Sequence, residues 1–428
     1  MMRDLVCMPS RKTKARRRPA AEGALKKRGT KMTTIKQGSA ARAASVLWLA
    51  IAIGCGEAAL GEPGEGALGS IDAASFTSRT VSSMAVIGDS ITRAYNAGGG
   101  EFFQGGCAFA DQTSYSWATN DNNGTLCTAD TVYSHKERLE CANNKNLSAY
   151  NVAVSGANMR DDAYKQTVAA RNWIVTRAAP RYIAFLLGHN DICQGHRDKY
   201  SSCTQSSTKD PNNYCRTTNF AFEKQFRRAL DVLVRIPDSR IGVAIPVRVS
   251  QLCNHRGKNV DFGFIDFSCQ DVWDTAQAEI ADVFEGPGIC ESVTSDDCSD
   301  ARVAHAHRTW RAYKNILIRV TNEYAAVTAG AKIPANATFG TGNVTKASGV
   351  QVQYSEAISN FKLKSSDIQN CDCFHPSYSA QNKISQYLYR GLTCTATTPC
   401  CRDVGTSNVD DGKCRYTWTD GRKIPALW

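Results

Sequence analysis

Four short segments of this chain carry residues suited to nucleophilic acyl chemistry. Ser90 ends the stretch Met84-Ala85-Val86-Ile87-Gly88-Asp89-Ser90, an apolar run that reads as a strand and breaks at Gly88 into residues able to start a helix. A serine so placed stands at the carboxyl end of a strand, where open α/β sheets hold their active sites. Its hydroxyl becomes a useful nucleophile only when a base takes its proton, and an imidazole base needs a carboxylate to fix its tautomer. Asp372-Cys373-Phe374-His375 can supply both, because the three-residue spacing lets the two side chains emerge on the same side of one turn. The oxyanion formed at an attacked carbonyl must be met by preorganised N–H donors. Gly156, in Val152-Ala153-Val154-Ser155-Gly156, and Asn190, in Leu186-Leu187-Gly188-His189-Asn190-Asp191, each follow an apolar run and offer such donors.

Taken singly, each segment has a plainer reading. Gly88-Asp89-Ser90 is a common turn composition, Gly156 could simply end a strand, Asn190-Asp191 is a turn signal, and Asp372 with His375 could be a hydrogen-bonded loop. The conjunction separates the readings: four segments in order, three of them directly after apolar runs that read as buried parallel strands. Thr92 stands where a G-x-S-x-G nucleophile elbow has its second glycine, so that pattern does not apply.

In this order the segments resemble the blocks of the GDSL/SGNH hydrolases, over roughly residues 82–391. The resemblance implies Ser90 as nucleophile, Asp372 and His375 as the rest of a triad, and an oxyanion hole formed by the Ser90 amide with Gly156 and Asn190. It also implies an α/β three-layer sandwich with a mostly parallel central sheet, and carboxylic ester hydrolysis through an acyl-enzyme with no cofactor and no metal. Asp372-Cys373-Phe374-His375-Pro376, with Ser114-Tyr115-Ser116-Trp117-Ala118-Thr119 and Ser134-His135-Lys136-Glu137-Arg138, is most similar to the phospholipase B-like branch, which implies lipid or phospholipid acyl esters. Trp117 and Tyr115 are candidates for lining an acyl or head-group pocket. His189 departs from that branch, which more often has a small residue there, and this bears on substrate fit.

Around these segments the pattern alternates. Strands are expected to end at Gly88 and to run over 150–154, 182–187, 241–247 and 349–354. Helices are expected over 161–177, 220–234, 302–328 and 377–391, with Pro376 suited to the start of the last. Alternating strands and helices argue for a parallel sheet covered on both faces. Long polar insertions with several cysteines separate the blocks. The expected organisation is a leader over 1–55, a flexible tether over 56–75, a catalytic domain over 76–392 and a cysteine-rich tail over 393–428 too short for its own core.

The formal net charge of +11 looks like a nucleic-acid signal, but residues 1–55 carry 13 Lys and Arg against Asp4 and Glu22. The remaining 373 residues hold 38 basic and 38 acidic side chains, so nucleic acid is not expected as a partner. The charged leader runs into an apolar stretch over 43–55, too short to span a bilayer comfortably and suited to a signal-peptide core. Met32 offers an alternative start. Ala52-Ile53-Gly54-Cys55 resembles a lipoprotein processing site with Cys55 lipidated and a membrane association to follow, and Ala59-Leu60-Gly61 is the competing site for ordinary secretion. Of 18 cysteines, Cys7 and Cys55 lie in the leader, which leaves an even number in a chain whose leader reads as an export signal, so disulfides are expected. Cys203 with Cys215, and Cys290 with Cys298, enclose short polar segments and are plausible local bridges. Cys371, Cys373 and His375, or His305 and His307, could be taken for metal ligands, but an oxidising compartment and the lack of a second metal-type pair favour bridges and surface histidines. Sequons at Asn123, Asn146, Asn336 and Asn343 mark surface only if glycosylated.

Three functions compete. The first is a secreted or surface-anchored esterase acting on lipid acyl groups. The second is a carbohydrate esterase that removes acetyl groups from extracellular polysaccharide. The third is a non-catalytic surface binding protein on the same scaffold, against which the filling of every catalytic position argues.

Overall fold

The computed structural model describes residues 81–98, 107, 109–120, 131–193, 216–261, 266–274, 290, 293–294, 298, 301–359 and 361–393. All of these fall within one unit, Ala67–Trp428. The expected leader and tether, the tail beyond Thr393, the Cys203–Cys215 bridge and the sequon at Asn123 lie outside the described residues.

Five strands form the central sheet: β1 (Ser83–Gly88), β2 (Ser148–Asn151), β3 (Arg181–Leu186), β4 (Ser239–Ala244) and, after the short hairpin β5 (Asn259–Asp261) and β6 (Asp266–Ser268), β7 (Gln351–Ser355). Their order is β2-β1-β3-β4-β7, and every neighbour in the sheet pairs in parallel. Parallel strands need crossovers, which cover both faces and bury the strands on both sides. The two-residue side-chain period shows this directly. In β1, Ala85 and Ile87 enter one core while Met84 and Val86 enter the other, and in β3 Ile183 and Phe185 part in the same way from Tyr182, Ala184 and Leu186. The fold is a three-layer α/β sandwich.

On the first face lie α2 (Ala163–Ile174), α4 (Asn219–Leu233) and α5 (Ala301–Ala326), following α1 (His135–Asn143) in the chain. Helix α4 presents Phe222, Phe226, Ala229, Leu230 and Leu233 at helical spacing to that core, and the Thr218 side chain caps it by accepting from the Ala221 amide. The second face is covered by α1 and by α6 (Tyr378–Thr393), whose Ile384, Leu388 and Leu392 recur every four residues. A short helix, α3 (His189–Cys193), follows β3 directly.

Some expectations need correction. Strand β2 is a half-exposed edge strand that ends at Asn151, earlier than expected, although the amides of Val152 and Val154 still reach the carbonyls of Val86 and Gly88. Trp117 lines no acyl pocket, because it is fully buried in the second core, edge-on to His135. Cys298 bridges Cys253, not Cys290, and Cys290 is held in another disulfide. Nearness in sequence misled there: the 3-10 segment Val249–His255 brings Cys253 to Cys298 across 45 residues. His305 and His307 are half-buried, with His307 stacked on Trp310, so neither is a plain surface residue. Among the described residues no helix is long and apolar enough to cross a membrane.

His135 opens α1 within an aromatic nest, stacked on Tyr182 at 5.1 Å between ring centroids, and neither ring nitrogen has a hydrogen-bond partner among the described residues. Burial first, then the charges of Arg138 and Arg240, lower its pKa from 6.5 to about 3. An unfolded chain therefore binds the proton that the folded chain refuses, and stability falls as pH drops below about 6.5 and continues falling toward 3. Denaturant titrations should show a His135 contribution of about 1.4 kcal/mol per pH unit across that window. His135→Phe, which keeps the stack without the titration, should remove that share of the slope, and an unchanged slope would contradict the account.

Candidate active site

The expected site residues gather at the carboxyl ends of β1, β2 and β3 and on the loop before α6. Ser90 lies two residues beyond β1, in a turn where the Arg93 amide donates to the Asp89 carbonyl and the Tyr95 amide to the Ser90 carbonyl. The end of β1 is held from the side by Gln166 of α2: its Oε1 accepts from the Gly88 amide and its Nε2 donates to the Gly88 carbonyl, each at 2.9 Å. A side chain thus takes the place of a strand neighbour at the Gly88 amide and shares the Gly88 carbonyl with the Val154 amide, and the strand end is fixed just before the serine.

The loop carrying Asp372 and His375 is tied at its base. Ile368 and Pro376 form an antiparallel bridge, the Gln369 amide donates to the His375 carbonyl, and the Ser377 amide donates to the Asp367 carbonyl. Asp372 Oδ1 accepts from the amides of Phe374 and His375 at 2.8 and 2.9 Å, which curls the chain so that the ring returns over the carboxylate. His375 Nδ1 then lies 2.7 Å from Asp372 Oδ2, and His375 Nε2 lies 2.9 Å from Ser90 Oγ. Ser90, His375 and Asp372 form one continuous hydrogen-bonded line. Burial alone would raise the Asp372 pKa, but the charge of His375 and the hydrogen bonds from His375 and Phe374 outweigh it and hold the carboxyl below its ordinary value.

Asn190, at the start of α3, donates through Nδ2 to the Ala157 carbonyl at 2.9 Å, which leaves its second N–H available. That bond ties it to the turn after β2, where Gly156 adopts φ +81 with none of the described residues near the position a side chain would fill. The amides of Ser90 and Gly156 donate to no group among the described residues. Ser90 and Asn190 open onto one pocket, whose wall is otherwise built largely from Ile91, Val247, Val249, Leu252, Phe361 and Ile384. Its carboxylate, Asp367, is occupied by Lys383 Nζ at 2.5 Å and the Lys364 amide at 3.0 Å.

Sequence reasoning missed several supports. Asn96, in the left-handed region at φ 56, donates from Nδ2 to Asp372 Oδ2 at 3.2 Å. Trp273 Nε1 donates to the Asp372 carbonyl at 3.2 Å, and Lys258 Nζ donates to Ile368 and Asn370 at the loop's base. The Tyr95 ring lies 4.9 Å from that of His375. Disulfides tether the residues on either side of Asp372, Cys371 to Cys107 and Cys373 to Cys269. Cysteines 371 and 373 are thus bridged, as the oxidising reading required. Among the described residues no group of three or more His, Cys, Asp or Glu could hold a metal ion.

The family model described as GDSL-like Lipase/Acylhydrolase matches residues 84–388. No curated protein matches the chain. Among solved structures, one crystal structure is similar at 10% identity with a TM-score of 0.34, over 72% of this chain and 96% of its own. A second is similar at 13% identity with a TM-score of 0.35, over 73% and 97%. Likeness at that level carries nothing about function.

Proposed function

Because the chain belongs to the GDSL-like lipase/acylhydrolase family, we propose that it is a serine ester hydrolase working through an acyl-enzyme, with Ser90 as nucleophile, His375 as base and Asp372 as its orienting carboxylate. The observation that carries this reading is the unbroken line from Ser90 Oγ through the His375 ring to Asp372. As Ser90 Oγ attacks the ester carbonyl, its proton passes to His375 Nε2. Asp372 fixes the tautomer and steadies the imidazolium, and the oxyanion receives N–H donors from Ser90, Gly156 and Asn190. Collapse breaks the bond to the alcohol, which leaves with the proton from Nε2. Water then repeats the sequence on the acyl-enzyme and releases the acid.

For the substrate we favour lipid or phospholipid acyl esters, as the resemblance to the phospholipase B-like branch suggests. The apolar wall next to Ser90 and Asn190 supports this choice, since each methylene buried there is worth about 0.8 kcal/mol. We place the protein outside the cytosol, secreted or anchored through Cys55, with its catalytic domain over 76–392 between an export leader and tether and a cysteine-rich tail. The disulfides support the compartment.

The test is fluorophosphonate labelling of Ser90, followed by turnover of monomeric nitrophenyl esters from acetyl upward beside a phospholipid and an acetylated polysaccharide. Labelling with kcat/KM rising along the acyl series is expected. A preference for acetyl esters with no phospholipid release would favour the carbohydrate esterase, and absence of labelling and turnover the binding protein. Asn190→Ala should lower kcat by about a hundred- to a thousandfold with little change in KM. A raised KM at normal kcat would instead make Asn190 a substrate-binding residue.

A further inference from the structure

His189 is the residue at which the chain departs from the branch it most resembles, and it is buried at 3% exposure directly before Asn190. Both ring nitrogens are in use. The Val247 amide lies 3.1 Å from Nε2 and can only donate, so Nε2 accepts and Nδ1 carries the hydrogen. Nδ1 lies 2.8 Å from Oδ2 of Asp89, a fully buried carboxylate whose Oδ1 accepts from the Ile91 amide at 3.0 Å. One ring therefore spans three parts of the site: the turn that presents Ser90, the helix start that presents Asn190, and the segment after β4 that walls the pocket.

We propose that His189 is a positioning residue that holds the Ser90 amide and the Asn190 side chain in register as two halves of one oxyanion hole. The inference rests on the ester hydrolase reading. His189 touches neither the triad nor the expected oxyanion, and it acts through Asp89 and through its own backbone link to Asn190. Donors aimed at a developing charge are sensitive to small displacements, and a shift of about 1 Å at such a site can cost a hundredfold in rate.

Two substitutions test this without relying on one folded variant. Asp89→Asn is isosteric, yet it can satisfy the Ile91 amide only by turning an N–H toward the N–H of His189, which breaks the bridge without opening a cavity. His189→Ala removes the bridge outright, whereas His189→Gln keeps a donor and an acceptor. With a soluble nitrophenyl butyrate as probe, Asp89→Asn and His189→Ala should each lower kcat by roughly ten- to a hundredfold at nearly constant KM, and His189→Gln should recover most of the loss. The fluorophosphonate labelling rate of Ser90 should follow kcat. Near-normal kcat in Asp89→Asn, or a His189→Gln as slow as alanine at an unchanged melting temperature, would overturn the inference. Wild-type protein that neither labels nor turns over ester would overturn the hydrolase reading and this inference with it.

Discussion

Alanine in place of His375 should lower kcat on a soluble ester by about a millionfold, as should alanine in place of Ser90, because members of a triad act as a unit and removing either costs about as much as removing all. The fold should survive both changes. The His375 side chain keeps 13% exposure, and without its ring Asp372 keeps the Phe374 and position-375 amides and Asn96 Nδ2, so no bare charge is left inside. Asp372→Asn should be milder, near ten-thousandfold, since it leaves the ring in place but favours the wrong tautomer. Steady-state kinetics beside melting curves would read this out. If either alanine variant kept kcat within about tenfold of wild type, the triad assignment would be wrong.

Breaking the two tethers beside Asp372 should have the next largest effect. Cys107–Cys371 and Cys269–Cys373 close loops spanning 264 and 104 residues. On the chain-entropy account, loops of this length contribute roughly 5–6 kcal/mol each, against a total stability of about 5–15 kcal/mol for a typical domain. Serine at both Cys371 and Cys373 should therefore remove ester turnover together with most of the cooperative melting transition. Serine at Cys371 alone should give a folded protein with a lower melting temperature and reduced kcat, because the Cys269 tether, Trp273 and Lys258 still hold the loop. A double variant that melted and turned over like wild type would show that the hydrogen bonds at the loop's base suffice.

The sheet was legible because β1, β3 and β4 are apolar runs buried on both faces, and the four site segments were legible because each carries its chemistry within a few residues. Helix α1 was missed although its capping box, Ser134 with Glu137, stands in the sequence, because its polar composition hides it between insertions. Gln166 reaches Gly88 across 78 residues, Trp273 reaches Asp372 across 99 and Asn96 reaches it across 276. Contacts of that range leave no local period or motif. Cys290 and Cys298 failed for the related reason that bridging follows the folded path of the chain, not the shortest interval along it.

The close turn after β1 also constrains how this protein could diverge. A side chain on Gly88 would collide with Oγ1 and Cβ of Thr92, and it would press at 3.0 Å on the Leu186 carbonyl of the neighbouring strand. Any lineage acquiring alanine at position 88 would need glycine at 92 as well, because the Cβ at 92 itself lies 2.5 Å from the added one. Positions 88 and 92 should accordingly change as a pair in descendants of this sequence, leaving a trace of covariation two residues on either side of Ser90.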